Sequence, residues 1–336
     1  MQAIRFEQFG EPAEVLRLSD VPLPEPQTGE VRVRMLASPV NPSDLITIRG
    51  IYGKLPRLPA TPGFEGVGIV EASGGGLLGK LSVGKRVAVL NGKTGNWCEQ
   101  TVIPARQAIP LAKDLTLEQA ATFFVNPATA YIMTRKILRI PKGEWLLQTA
   151  SGSALGGMVI RLAQRFGFRT INIVRRNEQI EEIKEIGGHA VIHFDPSEHD
   201  SRYLREAIQS ETGQPGVRFA IDPVSGATGS AVIDCLGEKG RLLVFGTLAD
   251  EPLSFSSRTL MTVEARIEGF WLARWMAEQS ILSKLKLVKS ITRLMREGVL
   301  VSEVGSTFPL TEISEAVRTA ETVGRGGKVL LEISRT

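Results

Sequence analysis

The stretch that decides the fold is EWLLQTASGSALGG, residues 144–157, taken together with TINIVRRN at 170–177. The first is a short apolar run, then a turn of small residues, then the opening of a helix. In that helix Leu155, Met158, Val159, Leu162 and Phe166 recur at the spacing of one helical face. The second stretch is a β-branched strand one crossover later. Strand, helix and strand in that order make a βαβ unit, which implies a parallel sheet.

Working outward, the same alternation continues on the C-terminal side. AVIHF (190–194), RFAID (218–222), RLLVFG (241–246) and RIEGFW (266–271) read as further strands, separated by helical lengths. An amphipathic stretch runs from Leu272 to Glu297, and the chain closes on strand-like GKVLLEIS. That closing strand finds no parallel partner in the sequence and is expected to return to the first domain. On the N-terminal side, residues 1 to about 120 give short β-rich runs such as VRVRMLA, GVGIVEA and KRVAVL, broken by Pro and Gly. The expected architecture is therefore α/β in two domains. A compact, barrel-like β domain takes 1–120 and 273–336, and a doubly wound parallel sheet takes 121–272.

The turn after the first strand of a βαβ unit is where a pyrophosphate sits, against unpaired N–H groups at the helix start. Here Ala150, Gly152, Ala154 and Gly156 supply the small residues, and Ser151 and Ser153 are possible hydroxyl donors. Leu155 completes the turn, and Phe245 and Gly246, ending RLLVFG, join the candidate cofactor set. The second strand of such a unit ends beside the adenosine ribose. Arg175 stands 23 positions after Gly152, with Arg176 next to it. An acid there would accept from a ribose 2′-hydroxyl, whereas cations pair with a 2′-phosphate. The paired arginines therefore point to NADPH, against the alternative that they only face solvent.

Bulk properties exclude other classes. The chain has 336 residues, 43% of them hydrophobic, which is enough for two cores. Its net charge of +4 comes from charges of both signs scattered along the chain, so nucleic acid is not an expected partner. Two cysteines, Cys98 and Cys235, build neither a disulfide framework nor a multi-cysteine metal site. The start MQAIRFEQFG reads as strand rather than signal peptide, and no apolar run approaches a membrane span. A cytoplasmic protein acting on a small molecule is expected, with no membrane partner.

A β domain, a dinucleotide domain and a returning tail resemble the medium-chain dehydrogenase/reductase superfamily over essentially the whole chain. The resemblance implies a GroES-like β-barrel catalytic domain, a Rossmann domain and a homodimer. In the alcohol dehydrogenases of that superfamily a zinc-ligand cysteine would stand near Asn41 in NPSD, and a ligand histidine near Phe64 in PGFEGVG. Neither residue can fill the role, so the chain resembles the zinc-free branch, which holds quinone reductases and 2-enoyl thioester reductases; no catalytic metal is expected. The stretches NPSDLITIRGIYGKLP (41–56), NPATAY (126–131) and GFWLARW (269–275), with TINIVR, are similar to the enoyl thioester reductases of mitochondrial fatty acid synthesis. That likeness implies Tyr52 as the proton donor and Phe270, Trp271 and Trp275 as lining the acyl pocket.

The chemistry can be tested against the residues directly. Reducing an activated C=C needs hydride at the β carbon, a donor to the carbonyl as charge develops, and a proton for the α carbon. A tyrosine, with an ordinary pKa near 10, keeps its proton at neutral pH and can release it. Of three tyrosines, Tyr131 falls in a helix at the domain junction and Tyr203 in an outer helix, leaving Tyr52 in a Gly-flanked loop. Packing of that loop is the competing role for Tyr52. Asn41 and Asp44 are candidates to orient the nicotinamide or simply to hold the turn after the strand. Asn126 and Thr129 are candidates to reach the nicotinamide, or caps of their own helix. His189 and His193, four apart in a strand with no third ligand near, read as structural.

The expected activity is thus zinc-independent, NADPH-dependent reduction of a 2-enoyl thioester or related conjugated carbonyl, with Tyr52 as proton donor. NADPH:quinone oxidoreduction is the alternative on the same fold, and a non-catalytic NADPH-binding or sensing protein is the alternative from another class.

Overall fold

The computed structural model describes residues 1–92, 94–324 and 326–334. In chain order the strands are β1 (Gln2–Arg5), β2 (Arg17–Asp20), β3 (Glu30–Pro39), β4 (Glu65–Ser73), β5 (Arg86–Leu90), β6 (Gln100–Pro104), β7 (Ala108–Pro110), β8 (Trp145–Gln148), β9 (Arg169–Val174), β10 (Ala190–His193), β11 (Val217–Asp222), β12 (Leu236–Val244), β13 (Arg266–Gly269), β14 (Val304–Pro309) and β15 (Lys328–Glu332). The chain divides into two compact units, Met1–Val125 with Val301–Thr336, and Asn126–Leu300.

The first unit is built on β3, which is long enough to take three partners. β4 and β6 pair with it antiparallel, and β15 pairs with its far end through Leu330 opposite Pro39. Shifts of register between Arg32 and Val33 and between Met35 and Ala37 bend β3 so that these pairings coexist. The seven-stranded sheet runs β14-β15-β3-β4-β5-β7, with β6 off that path on β3. Alternation along β3 sends Val31, Val33 and Met35 into a core with Val70, Val87, Val89 and Ile103.

The second unit carries six parallel strands in the order β10-β9-β8-β11-β12-β13, two βαβαβ halves wound outward from the β8–β11 pair. Its strands fall where the β-branched runs placed them. Leu147, Ile171, Ile173, Ile192, Ala220 and Leu242 form one buried layer beneath the covering helices. On the helix Ala154–Phe166, Met158, Val159 and Leu162 are fully buried, as the helical spacing requires.

Two expectations about the tail need correction. The amphipathic stretch 272–297 forms two helices, Leu272–Ala277 and Ile281–Arg296, and the second begins where the Ser280 hydroxyl accepts the N–H of Ser283 at 3.2 Å. This longer helix stays with the second unit, through Arg161 Nε on Val299 O at 3.1 Å and Arg165 on Glu297 at 2.8 Å, so the return to the first unit begins at 301 rather than 273. The closing strand also has a parallel partner after all, since β14 pairs with β15 before β15 joins β3. Among the described residues no helix is long and apolar enough to cross a membrane.

Candidate active site and cofactor site

Within the first unit, β3 ends at Pro39 and the chain turns into the helix Pro42–Ile48, with Asn41 at its N-cap and Pro42 at a position that needs no N–H. The backbone N–H of Asn41 donates to Asp44 Oδ2 at 2.9 Å, and the other Asp44 oxygen takes the N–H of Phe64, also at 2.9 Å. The side-chain amide of Asn41 is committed at both ends. Its oxygen accepts from the Lys328 ammonium, and its nitrogen donates to Glu65 Oε1 at 3.1 Å. Glu65 Oε2 in turn accepts the N–H groups of Phe124 at 3.2 Å and Val125 at 2.8 Å.

Asn41, Asp44, Glu65 and Lys328 are each at most 5% exposed. Two carboxyl groups and one ammonium thus share a dry enclosure. Burial pushes the Asp44 carboxyl up to about 7; the charge of Glu65 adds to the rise, while the N–H bonds from Asn41 and Phe64 and the charge of Lys328 oppose it.

Tyr52 is half-buried, its ring 5.3 Å from that of Phe64 and tilted by 40°. Phe64 is the residue whose amide Asp44 holds, so the platform beneath Tyr52 is fixed from the buried enclosure. A cavity of about 50 Å³ lies beside it, lined by Asp44, Thr47, Lys54, Leu55, Phe64 and Asn91. Of the other tyrosines, Tyr131 is buried in the helix Val125–Tyr131, and Tyr203 lies 40% exposed on an outer helix.

Within the second unit the small-residue turn performs three separate tasks. Ala150 takes a left-handed φ of +49°, which starts the turn out of β8. Ser153 caps the helix, its Oγ accepting the N–H of Gly156 at 3.1 Å, and the N–H groups of Ala154 and Leu155, first in the helix, have no intrahelical acceptor. At Gly156 a side chain is excluded, since a Cβ would stand 2.3 Å from the carbonyl oxygen of Ser151. Gly152 is exposed, and a Cβ there would meet only the flexible end of Gln179. Ser151 departs from expectation. It is fully buried, its Oγ donates to Gln148 O at 3.0 Å and its N–H to Ile173 O at 3.3 Å, so both donors are spent inside the fold.

Arg175 and Arg176 follow β9 directly, the first exposed and the second half-buried, and among the described residues neither guanidinium forms an ion pair. Phe245 and Gly246 follow β12; the Phe245 N–H donates to Asp222 O at 3.0 Å, and a Cβ on Gly246 would come within 2.7 Å of Pro223 O. The turns after β8, β9 and β12 therefore lie along the carboxyl edge of the sheet, where open α/β sheets bind ligands. Asn126 is half-buried and Thr129 buried on the helix Val125–Tyr131. Phe270 is buried and prolongs the β12–β13 ladder through its N–H to Val244 O at 2.8 Å; Trp271 is 40% exposed, and Trp275 is half-buried one turn on.

Three site residues carry no sequence motif. Glu65 and Lys328 lie far apart in the chain and bind opposite ends of the Asn41 side-chain amide. Asp222, fully buried at the end of β11, accepts from the Thr149 hydroxyl and from the N–H groups of Val224 at 3.0 Å and Ser225 at 2.8 Å. Burial raises its pKa, against those bonds. An acid directly after the apolar Phe219, Ala220 and Ile221 is the available signal.

Residues 27–113 match the family model described as the alcohol dehydrogenase GroES-like domain, and residues 154–287 match that of the zinc-binding dehydrogenases. The human mitochondrial enoyl-[acyl-carrier-protein] reductase is 33% identical over 94% of this chain and 84% of its own length. The chain belongs to the medium-chain dehydrogenase/reductase superfamily.

Solved structures of other superfamily members superpose closely on this one. A Bacillus thuringiensis crystal structure that bears the name NADPH:quinone reductase is 31% identical, with 99% of each chain covered and a TM-score of 0.90. A mycobacterial protein complexed with NADPH is 26% identical over 99% of this chain and 100% of its own, with a TM-score of 0.88. The name of one matched model raises the question of zinc. In this superfamily member Asn41 offers only an amide already bound to Lys328 and Glu65, and Phe64 offers no ligand atom.

Proposed function

We propose that this superfamily member is an NADPH-dependent oxidoreductase that reduces the C=C bond of a 2-enoyl thioester without zinc, with Tyr52 donating the proton. The observation that carries the reading is the placement of Tyr52 on Phe64, whose backbone is fixed by Asp44 beside an Asn41 that cannot take a metal. The stacking of Tyr52 on Phe64 supports a hydroxyl rather than a metal as the source of the proton, since Asn41 and Phe64 offer neither the thiolate nor the imidazole that a zinc would need.

The residues present fit NADPH. The free N–H groups of Ala154 and Leu155, at a helix start kept close to β8 by Gly156, suit a pyrophosphate. Arg175 and Arg176 suit the 2′-phosphate. When bound, NADPH supplies the hydride. The chain's own part is to bind the thioester, to stabilise charge developing on its carbonyl oxygen and to protonate the α carbon from Tyr52. Trp271 and Trp275 supply apolar surface suited to an acyl chain, with the buried Phe270 directly before Trp271 in sequence, and a homodimer is part of the same reading.

NADPH:quinone reduction is the second reading, favoured by the name of the Bacillus thuringiensis structure. It places no strict demand on Tyr52. Oxidation of NADPH is to be followed with crotonyl thioester and with a small quinone side by side, with NADH as control. Thioester reduction that exceeds quinone reduction and depends on Tyr52 supports the first reading. Turnover of the quinone alone replaces it with the second, and tight NADPH binding without turnover of any acceptor leaves a sensor.

A further inference from the structure

His193 was set aside as structural because no third ligand stands near it in the sequence, yet the fold brings two. After β10 the chain doubles back at Asp195, whose Oδ1 accepts the N–H of Ser197 at 2.9 Å and whose carbonyl accepts those of Glu198 at 3.0 Å and His199 at 2.9 Å. The turn swings His199 against His193, ring centroids 5.6 Å apart and edge to face, while Tyr203 stacks on the other side of His199 at 4.0 Å. One ligand atom from each of His193, Glu198 and His199 lies within 4.8 Å of the others. Stacking accounts for the plane of the His199 ring but not for its nitrogen, since Nδ1 is buried without a hydrogen-bond partner.

We infer that His193, Glu198 and His199 form a binding site for a zinc-class divalent cation, on the second unit and unrelated to the positions of Asn41 and Phe64. Two imidazoles and one carboxylate are the donor set that zinc takes with a water in the fourth place, at bond lengths that put ligand atoms about 3.3 Å apart in a tetrahedron. Glu198 is exposed, so its carboxylate is free of packing that would hold it from the two rings. Magnesium and calcium, which need several oxygens, are poorly served. His193 also ties the site to the cofactor turn, for its Nε2 is 3.0 Å from the carbonyl oxygen of Arg175. A bound cation therefore braces the segment that carries Arg175. That last link rests on the NADPH reading; the site itself does not.

The test is calorimetric titration of ZnCl₂ into the full-length protein, freed of any affinity tag and of metal, with MgCl₂ as control. One zinc per chain is expected, weakened more than ~10-fold in H199N, in H193N and in the surface variant E198Q, which leaves the stacked rings intact. H189N should bind as the wild type does. Zinc should also raise the thermal midpoint of the wild type and not of the H193N/H199N double variant. Absence of saturable binding at one per chain, or wild-type affinity in E198Q and in the double variant, overturns the site whatever the outcome with NADPH.

Discussion

The ammonium of Lys328, in the strand that closes the fold, sits on the side-chain oxygen of Asn41, which starts a helix 287 positions earlier. The contact joins the last strand of the first unit to the turn on which the proposed chemistry depends. The other end of the Asn41 amide is bound to the buried Glu65 carboxylate, so one side chain links the cation and the acid.

Removing the ammonium leaves the Asn41 oxygen without that donor and the buried carboxyl groups without a neighbouring cation in a dry interior. K328M should therefore destabilise the chain by about 3–5 kcal/mol, read as a lower urea midpoint. A loss under about 1 kcal/mol would mean that Glu65 and Asn41 are satisfied some other way.

Asp44 gives the enclosure a pH signature. Its carboxyl is pushed up to about 7 in the folded chain, chiefly by burial, from an ordinary 3.8. Between those values the folded state holds more protons than the unfolded one, so this group's contribution to stability falls as pH rises through the window and is level above it. D44N removes the titration. The stability difference between wild type and D44N should shrink by up to about 4 kcal/mol from pH about 4 to about 7. Parallel urea-midpoint curves for the two proteins across that range would refute the assignment.

Loss of the proposed acid is tested by Y52F, which keeps the ring on Phe64 and removes only the hydroxyl. Thioester reduction should fall by ~10² or more while quinone reduction largely persists. Retained thioester turnover would show that Tyr52 serves the loop alone.

Arg175 and Arg176 are tested by selectivity rather than by rate. R175A/R176A should weaken NADPH binding by ~10- to 100-fold and leave NADH unchanged, as expected for lost charge-assisted bonds to a phosphate. An equal loss for both nucleotides would place the arginines away from the 2′-position.

Gly156 tests the close approach of helix and strand. G156A drives a Cβ towards the carbonyl oxygen of Ser151, and neither backbone can yield easily. A loss of about 1–3 kcal/mol is expected, measured by urea unfolding, together with weaker NADPH binding.

The parallel sheet is legible because its inner strands β8, β9 and β11 are runs of β-branched or apolar residues with a helical length between them, and burial on both faces demands that pattern. β14 was missed for the opposite reason. VGSTFP alternates between half-buried and exposed positions and carries Gly and Pro, so little marks it as strand. Small residues at 150–156 mark the turn between β8 and the helix Ala154–Phe166, but nothing in the letters tells Ser151 from Ser153. One hydroxyl turns inward to Gln148 and the other caps the helix, a difference set by the left-handed backbone at Ala150. Local motifs and resemblance single out Tyr52, Asn41 and Asp44. They do not single out Glu65 and Lys328, which bind the two ends of the Asn41 amide from far apart in the chain and have no spacing to read. His199 was passed over because its nearness to His193 comes from a turn at Asp195 rather than from strand periodicity.

The first unit draws on both ends of the described chain, with β3 receiving β15 only after the whole of 126–300 has been made. During synthesis on the ribosome the contiguous second unit can settle as it emerges, while the early strands must wait with one edge of β3 open. The ammonium that completes the Asn41 enclosure arrives with that final strand. A nascent chain halted just short of it would hold a finished nucleotide domain beside an unfinished catalytic one.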